Sequence, residues 1–275
     1  MHFKEDSFNT SDHKKLMVSY YEPEKTADKV VLIVHGHGEH GERYAGVADY
    51  LTSNGIAVAA LTLRGHGKSE GKRGHAPSLS QLILDVEYFI RTVRLRHMDS
   101  ELFLYGHSMG GNIVLNYLIR DQSSEIKAGI VTSPWIKLAF APPKVKVWLG
   151  NIVADILPSY TEKSDLSTEE ISTLPEEVER YEEDPLIHNK ISAKLFQQIS
   201  RGGEHIMNTH HKINHKVFLA HGELDLITDY TSTEQLAKKG EQFEWHSYPN
   251  SKHEIHHDED KIDLLKDITS WINGH

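Results

Sequence analysis

The 275-residue sequence contains no cysteine, so neither disulfide bonds nor thiol chemistry contribute to its fold or activity. That absence fits a reducing compartment. No segment approaches the roughly 18 consecutive apolar residues that a membrane-crossing helix requires. The opening residues, Met1-His2-Phe3-Lys4-Glu5-Asp6, lack the charged-then-apolar order of a secretory leader. A soluble, cytoplasmic chain is the expectation. Basic blocks are missing too, and a formal charge of −10 argues against a nucleic-acid partner. Histidine, by contrast, is plentiful at 20 residues, which raises metal binding as a question.

The hydrophobic pattern alternates between strand-like and helix-like stretches. Residues 1–28 are polar and weakly alternating, which predicts a short antiparallel strand pair leading into Pro23. Val30 to Val34 is a continuous β-branched run, the pattern of a strand covered on both faces. A helix from about Tyr44 to Ser53 follows, then a strand from Ile56 to Leu63. Ser78-Leu79-Ser80-Gln81 resembles a capping box, and the helix behind it carries Leu82, Ile83, Val86, Phe89, Ile90 and Val93 on one face. Strand Ala128–Thr132 closes a β-α-β-α-β-α-β series, which predicts a parallel sheet with helices on both sides.

From Ser133 to about Ile213 that rhythm breaks. After Pro142-Pro143, the residues Val145, Trp148, Leu149, Ile152, Val153 and Ile156 form a helical stripe that ends at Pro158. An acidic cluster at Glu176, Glu177, Glu179, Glu182, Glu183 and Asp184 reads as a solvated helix face. The alternation then resumes with strand Val217–Ala220, helix Thr231–Lys238, strand Phe243–Tyr248 and helix Asp260–Trp271. The expected organisation is a core over residues 1–133 and 214–275, interrupted by a mostly helical cap over residues 134–213. The stripe suits either of two tasks: packing on the core, or covering an acyl chain and touching a micelle or membrane surface transiently.

The most informative stretch is Leu102-Phe103-Leu104-Tyr105-Gly106-His107-Ser108-Met109-Gly110-Gly111, in which Gly-x-Ser-x-Gly lies between a predicted strand and a predicted helix. A chain reversing from strand to helix within one residue holds that residue at a strained positive φ. Glycine at both flanks removes the Cβ atoms that would collide. The Ser108 hydroxyl is left exposed beside a helix N-terminus whose dipole favours anions.

A serine hydroxyl needs a base, and the base needs a carboxylate to fix its tautomer. Asp225, after strand Val217–Ala220, is the favoured acid, with Glu223 and Asp229 as alternatives. His253, after the last strand, is the favoured base, with His246, His256 and His257 nearby. An oxyanion hole requires two backbone N–H groups. Met109, after the serine, and His37, in the His35-Gly36-His37-Gly38 turn, are positioned to supply them.

These residues, with Glu39-His40, Arg43-Tyr44, Arg64-Gly65-His66-Gly67-Lys68-Ser69-Glu70-Gly71, Asp184-Pro185-Leu186 and Gly222-x-x-Asp225, make the sequence resemble a family. It is similar to the monoacylglycerol lipase and lysophospholipase-like branch of the α/β-hydrolases, the serine aminopeptidase S33-like hydrolases. The resemblance implies an α/β-hydrolase fold with a mostly parallel eight-stranded sheet and an inserted helical cap. It implies a Ser108–Asp225–His253 triad with His37 and Met109 in the oxyanion hole, and Glu39, Arg43 and His256 binding the glycerol end. It implies a serine carboxylic-ester hydrolase working through an acyl-enzyme on monoacylglycerols or similar single-chain lipid esters, without a cofactor. Lysophospholipids and short-chain esters are the alternative substrates. The departure from the pattern is His37, where small or apolar residues are common.

Two readings from other classes compete. His253-Glu254-Ile255-His256-His257 matches the zinc-protease pattern H-E-x-x-H, which needs a helix to bring both histidines to one face. Here it follows Tyr248-Pro249-Asn250-Ser251, where a loop is expected, so no metal site is assigned. His205, His210, His211 and His215 read as exposed loop residues. A non-catalytic ligand-binding protein of the same fold would have no use for the ordered triad.

Overall fold

The computed structural model describes residues 1–121, 125–141, 143–164 and 166–275; Pro142 of the Pro142-Pro143 pair lies outside these. Its centre is the strand that the Val30–Val34 run predicts. This strand, β3 (Lys29–Val34), has every residue from Val30 onward buried. Successive side chains enter opposite layers, as the period of two requires. Val30, Leu32 and Val34 join one hydrophobic cluster, Val31 and Ile33 the other.

Around it lie β1 (His2–Asn9), β2 (Lys15–Glu22), β4 (Ala57–Thr62), β5 (Glu101–His107), β6 (Ala128–Thr132), β9 (Val217–Gly222) and β10 (Phe243–Tyr248). The eight strands run in the order β1-β2-β4-β3-β5-β6-β9-β10. The β1–β2 and β2–β4 pairs are antiparallel and the remaining pairs parallel. This is the expected mostly parallel eight-stranded sheet. Helices α1 (Ala45–Ser53) and α8 (Lys261–Gly274) cover one face through Val47, Leu51, Leu264 and Trp271. Helices α2 (Leu79–Arg96) and α3 (Met109–Arg120) cover the other through Val86, Phe89, Ile113 and Leu118. Each fully buried aliphatic side chain contributes about 1.5–3 kcal/mol of transfer free energy.

Helix α2 starts on Ser78, whose Oγ accepts the Gln81 N–H. Only half of the capping box forms, because the Gln81 amide reaches forward to Asp85 Oδ1 instead. Asp85 is buried against Arg64, and the added donor helps to satisfy it.

Between β6 and β9 the chain forms α4 (Lys144–Ile156), β7 (Thr161–Lys163), α5 (Pro175–Glu183), β8 (Lys190–Ser192) and α6 (Ala193–Thr209). Strands β7 and β8 pair antiparallel, an element that Thr161-Glu162-Lys163 does not advertise because it lacks alternation. Helix α6 packs into the core layer beside α3. Gly202 permits this closeness, since a Cβ there would lie 2.5 Å from Asn112 Oδ1 on α3, and a Cβ on Gly203 would lie 1.9 Å from the Ile136 carbonyl oxygen in the loop after β6. Asn112 and Asn116 on α3 donate to the Ile199 and Gly202 carbonyls of α6. Among the described residues no helix is long and apolar enough to cross a membrane.

Candidate active site

The site begins at the turn between β5 and α3. Ser108 takes φ 53° and ψ −117°, a strained conformation for a residue with a Cβ. Its flanking glycines are required by contact. A Cβ on Gly106 would approach the Gly110 carbonyl oxygen to 2.5 Å, and one on Gly110 would approach the Val34 carbonyl oxygen to 2.0 Å.

The Ser108 hydroxyl donates to His253 Nε2 at 2.9 Å, and His253 Nδ1 donates to Asp225 Oδ2 at 2.8 Å. Three residues on separate loops thus form one hydrogen-bonded chain, all of them buried. Asp225 accepts far more than this single bond. Its Oδ1 takes the Ile227 and Thr228 N–H groups at 2.7 and 3.0 Å. Its Oδ2 also takes the Thr228 hydroxyl at 2.7 Å and His221 Nε2 at 2.9 Å. Burial alone would favour the neutral acid, yet the facing His253 and His221 hold Asp225 well below the usual carboxylate range. For His253 the balance also goes against burial. The Asp225 charge and hydrogen bond, aided by Glu254 and Glu39, raise its pKa above the ordinary histidine value.

The His35–Gly38 turn packs directly on the serine: a Cβ on Gly36 would lie 3.1 Å from the Ser108 Cβ. Gly38, at φ +86°, lets the chain pass under the His188 carbonyl. Met109 opens α3, so its N–H has no carbonyl one turn back to receive it. The ring of His37 is enclosed between His66 and His188 with neither nitrogen hydrogen-bonded, and burial pushes its pKa down to about 3. The turn is braced by Glu39, whose Oε1 accepts the Gly36 N–H at 2.6 Å and the Tyr44 hydroxyl at 3.1 Å.

Two cavities meet here. One, of about 320 Å³, is lined by Ser108, His253, Glu39, Glu254, Tyr181, Glu182 and Asp184. The other, of about 1020 Å³, runs past Ile136, Phe140, Ile191, Phe196 and Met207. His37, Trp135, Leu138, Ser164 and Leu166 line both and mark their junction.

Of the residues expected at the glycerol end, only Glu39 stands on this lining. Arg43 lies behind it. Its guanidinium donates to both oxygens of Glu254 at 2.7 and 2.8 Å and to Glu39 at 3.1 Å, and it covers the Tyr181 ring. His256 is buried too, stacked on Tyr44 and beside His107. The alternative acids and bases are engaged elsewhere. Asp229 caps α7 (Tyr230–Ala237), Glu223 accepts the Ser247 hydroxyl, and His246 pairs with Glu244.

The H-E-x-x-H stretch is not a helix: Ile255–His257 is a single 3-10 turn, and His253 faces Ser108. Glu254, His256 and His257 do place donor atoms within 4.8 Å of one another. The Glu254 carboxylate, however, is already committed to Arg43. His205 and His210 bond to Asn116 and to the Met207 carbonyl.

Comparison with known proteins agrees with this architecture. Residues 25–260 match the family model described as serine aminopeptidase, S33. The chain is 27% identical over 274 residues to a monoacylglycerol lipase of Mycolicibacterium smegmatis, covering 98% of this chain and 97% of that one. It is 32% identical over 266 residues to an uncharacterised abhydrolase domain-containing protein of Dictyostelium discoideum. That match covers 96% of this chain but only 28% of the Dictyostelium protein. In structure it resembles the monoacylglycerol lipase of Paleococcus ferrophilus, with a TM-score of 0.84, 28% identity and full coverage of both chains. The chain therefore belongs to the serine aminopeptidase S33 family and is an α/β-hydrolase enzyme of the monoglyceride lipase-like kind.

Proposed function

We propose that this protein hydrolyses carboxylic esters through an acyl-enzyme on Ser108. The observation that carries the reading is the Ser108–His253–Asp225 chain at the floor of the smaller cavity. His253 Nε2 takes the hydroxyl proton as Ser108 Oγ bonds to the ester carbon. The N–H groups of His37 and Met109 receive the developing oxyanion. Collapse breaks the bond to the alcohol oxygen, which leaves with the proton from His253. Water then repeats the sequence on the acyl-enzyme and releases the acid. Asp225 holds His253 in the Nδ1–H tautomer and stabilises its charged form.

The preferred substrate is a monoacylglycerol or a similar single-chain lipid ester. The larger cavity, with Ile136, Phe140, Ile191, Phe196 and Met207 in its wall, suits an acyl chain, and the smaller one, with four carboxylates in its wall, suits the alcohol. Glu39, Glu182, Asp184 and Glu254 line the smaller cavity, with no Lys or Arg among its described lining residues. Arg43 is turned to Glu254 and Glu39, so a phosphate there would meet an excess of negative charge. This favours a polyol over a phosphodiester. Monoacylglycerol lipases among the relatives point the same way.

The part of the insertion that roofs both cavities, within residues 134–213, acts as the cap. Val145, Trp148, Leu149, Ile152 and Ile156 are exposed on α4 and suit transient contact with a micelle or membrane surface. A cytoplasmic setting fits a chain without cysteine.

A panel of monoacylglycerols of graded chain length, p-nitrophenyl esters and lysophosphatidylcholine tests the substrate. Expected is a kcat/KM for the best monoacylglycerol at least about tenfold above lysophosphatidylcholine of equal chain length. A preference for the lysophospholipid, or for acetyl esters, would overturn it.

A further inference from the structure

Asp225 is shared by two histidines. We propose that His221 is a positioning residue of the hydrolytic site, an Nε2–H donor that orients the Asp225 carboxylate and moderates its hold on His253. The inference rests on the proposed catalytic role of Ser108, His253 and Asp225.

His221 sits near the end of β9, fully buried, and its Nε2 lies 2.9 Å from Asp225 Oδ2. That same oxygen accepts His253 Nδ1 at 2.8 Å. On the far side of the ring, His221 Nδ1 lies 2.9 Å from the Thr233 hydroxyl on α7. An ionised carboxylate is an acceptor only, so Nε2 must carry the proton. In the Nε2–H tautomer, Nδ1 accepts the Thr233 hydroxyl. Two donor chains then converge on Asp225, Thr233 through His221 on one side and Ser108 through His253 on the other, and every polar atom of the His221 ring is satisfied. A structural histidine buried for packing alone would have no reason to share an oxygen with the base.

The consequence is electrostatic. Each donor on Oδ2 draws off charge that would otherwise act on His253. His221 and Thr228 together keep His253 from becoming too basic to release its proton to the departing alcohol, since a general acid–base works best near ambient pH. The other groups facing His253 are Ser108, His107, with its ring 4.8 Å away, and the neighbouring carboxylates Glu254 and Glu39. Those facing His221 are Asp225, Thr228, Thr233 and the Tyr230 ring at 5.7 Å.

The test is the pH profile of kcat/KM in three variants. Leucine removes both ring nitrogens, whereas glutamine places an amide N–H close to the position of Nε2–H. For His221→Leu, kcat should fall about 10- to 100-fold with little change in KM. The acidic limb should move up by roughly half a pH unit or more. His221→Gln should recover most of the rate and the original limb. Thr233→Val removes only the remote partner and should shift the limb in the same direction by less. If His221→Leu does not fold, Thr233→Val decides: a wild-type limb in that variant would overturn the proposal. A folded His221→Leu enzyme with a wild-type limb would overturn it as well. Phosphonate labelling of the wild-type protein keeps the two claims apart. Labelling at Ser108 with unmoved profiles refutes the role of His221 alone, whereas labelling elsewhere refutes the catalytic assignment beneath it.

Discussion

Arg43 grips Glu254, the residue next to His253, through two parallel hydrogen bonds of 2.7 and 2.8 Å. A third bond, to Glu39, ties the same guanidinium to the turn that carries His37. One buried cation therefore fixes both sides of the site, which assigns Arg43 to architecture rather than to substrate contact. Burial and the nearby Glu254 raise the Glu39 pKa, while Arg43 and His257 hold Glu254 well below the carboxylate range despite its burial. Arg43→Met would leave two enclosed carboxylates without their partner and should cost about 3–5 kcal/mol in urea denaturation. Arg43→Lys, which keeps the charge but loses the planar fork, should cost less. A fully stable Arg43→Met protein with only a raised KM would return this residue to the substrate.

His37 offers a separation of backbone from side chain. Only its N–H is needed in the proposed oxyanion hole, and its ring nitrogens are enclosed without partners. His35 and His37 both have pKa values pushed down to about 3 by burial, against 6.5 for a free histidine. Below pH 6.5 the unfolded chain binds protons that these folded rings refuse, so stability falls as pH drops from 6.5 towards 3. Each contributes a loss of about 2 kcal/mol between pH 7 and pH 5. His37→Leu should therefore retain activity within about threefold, since the N–H donor stays. It should also flatten the loss of stability between pH 7 and 5, measured by urea denaturation at each pH. An unchanged pH slope would contradict this account.

Much of the frame is legible from residue order because it depends on local patterns. Val30–Val34 and the Gly106–Gly110 elbow announce buried strand and strained turn with only neighbouring residues in view. The order Ser108, Asp225, His253 is equally visible, because each follows a strand at a fixed place in the topology. What escapes the sequence is side-chain partnership across the chain. Arg43 and Glu254 are 211 positions apart, and nothing in either segment says that they meet. His221 stands in plain sight before Gly222, yet a strand buried on both faces gives no alternation to reveal which way its ring points. Helix α6 reads as part of the insertion for the same reason: its glycines acquire meaning only against Ile136 and Asn112.

The outer face of α4 supplies a prediction that leaves the chemistry alone. Trp148 is 62% exposed and lines neither cavity. Trp148→Glu should reduce co-sedimentation with phosphatidylcholine vesicles several-fold, because it places a charge where an aromatic ring would enter the interface. Hydrolysis of a water-soluble p-nitrophenyl ester should be unaffected. Equal vesicle binding by both proteins would remove α4 from any surface contact.

Ser108 is the proposed nucleophile. Its most direct test is reaction of the folded protein with an active-site-directed fluorophosphonate, followed by intact mass and peptide mapping, with Ser108→Ala as the control. The predicted result is one phosphonyl group per chain, on Ser108, with labelling and ester hydrolysis lost together and Ser108→Ala reduced by several orders of magnitude. Modification at another residue, or a Ser108→Ala protein within tenfold of wild-type activity, would contradict it.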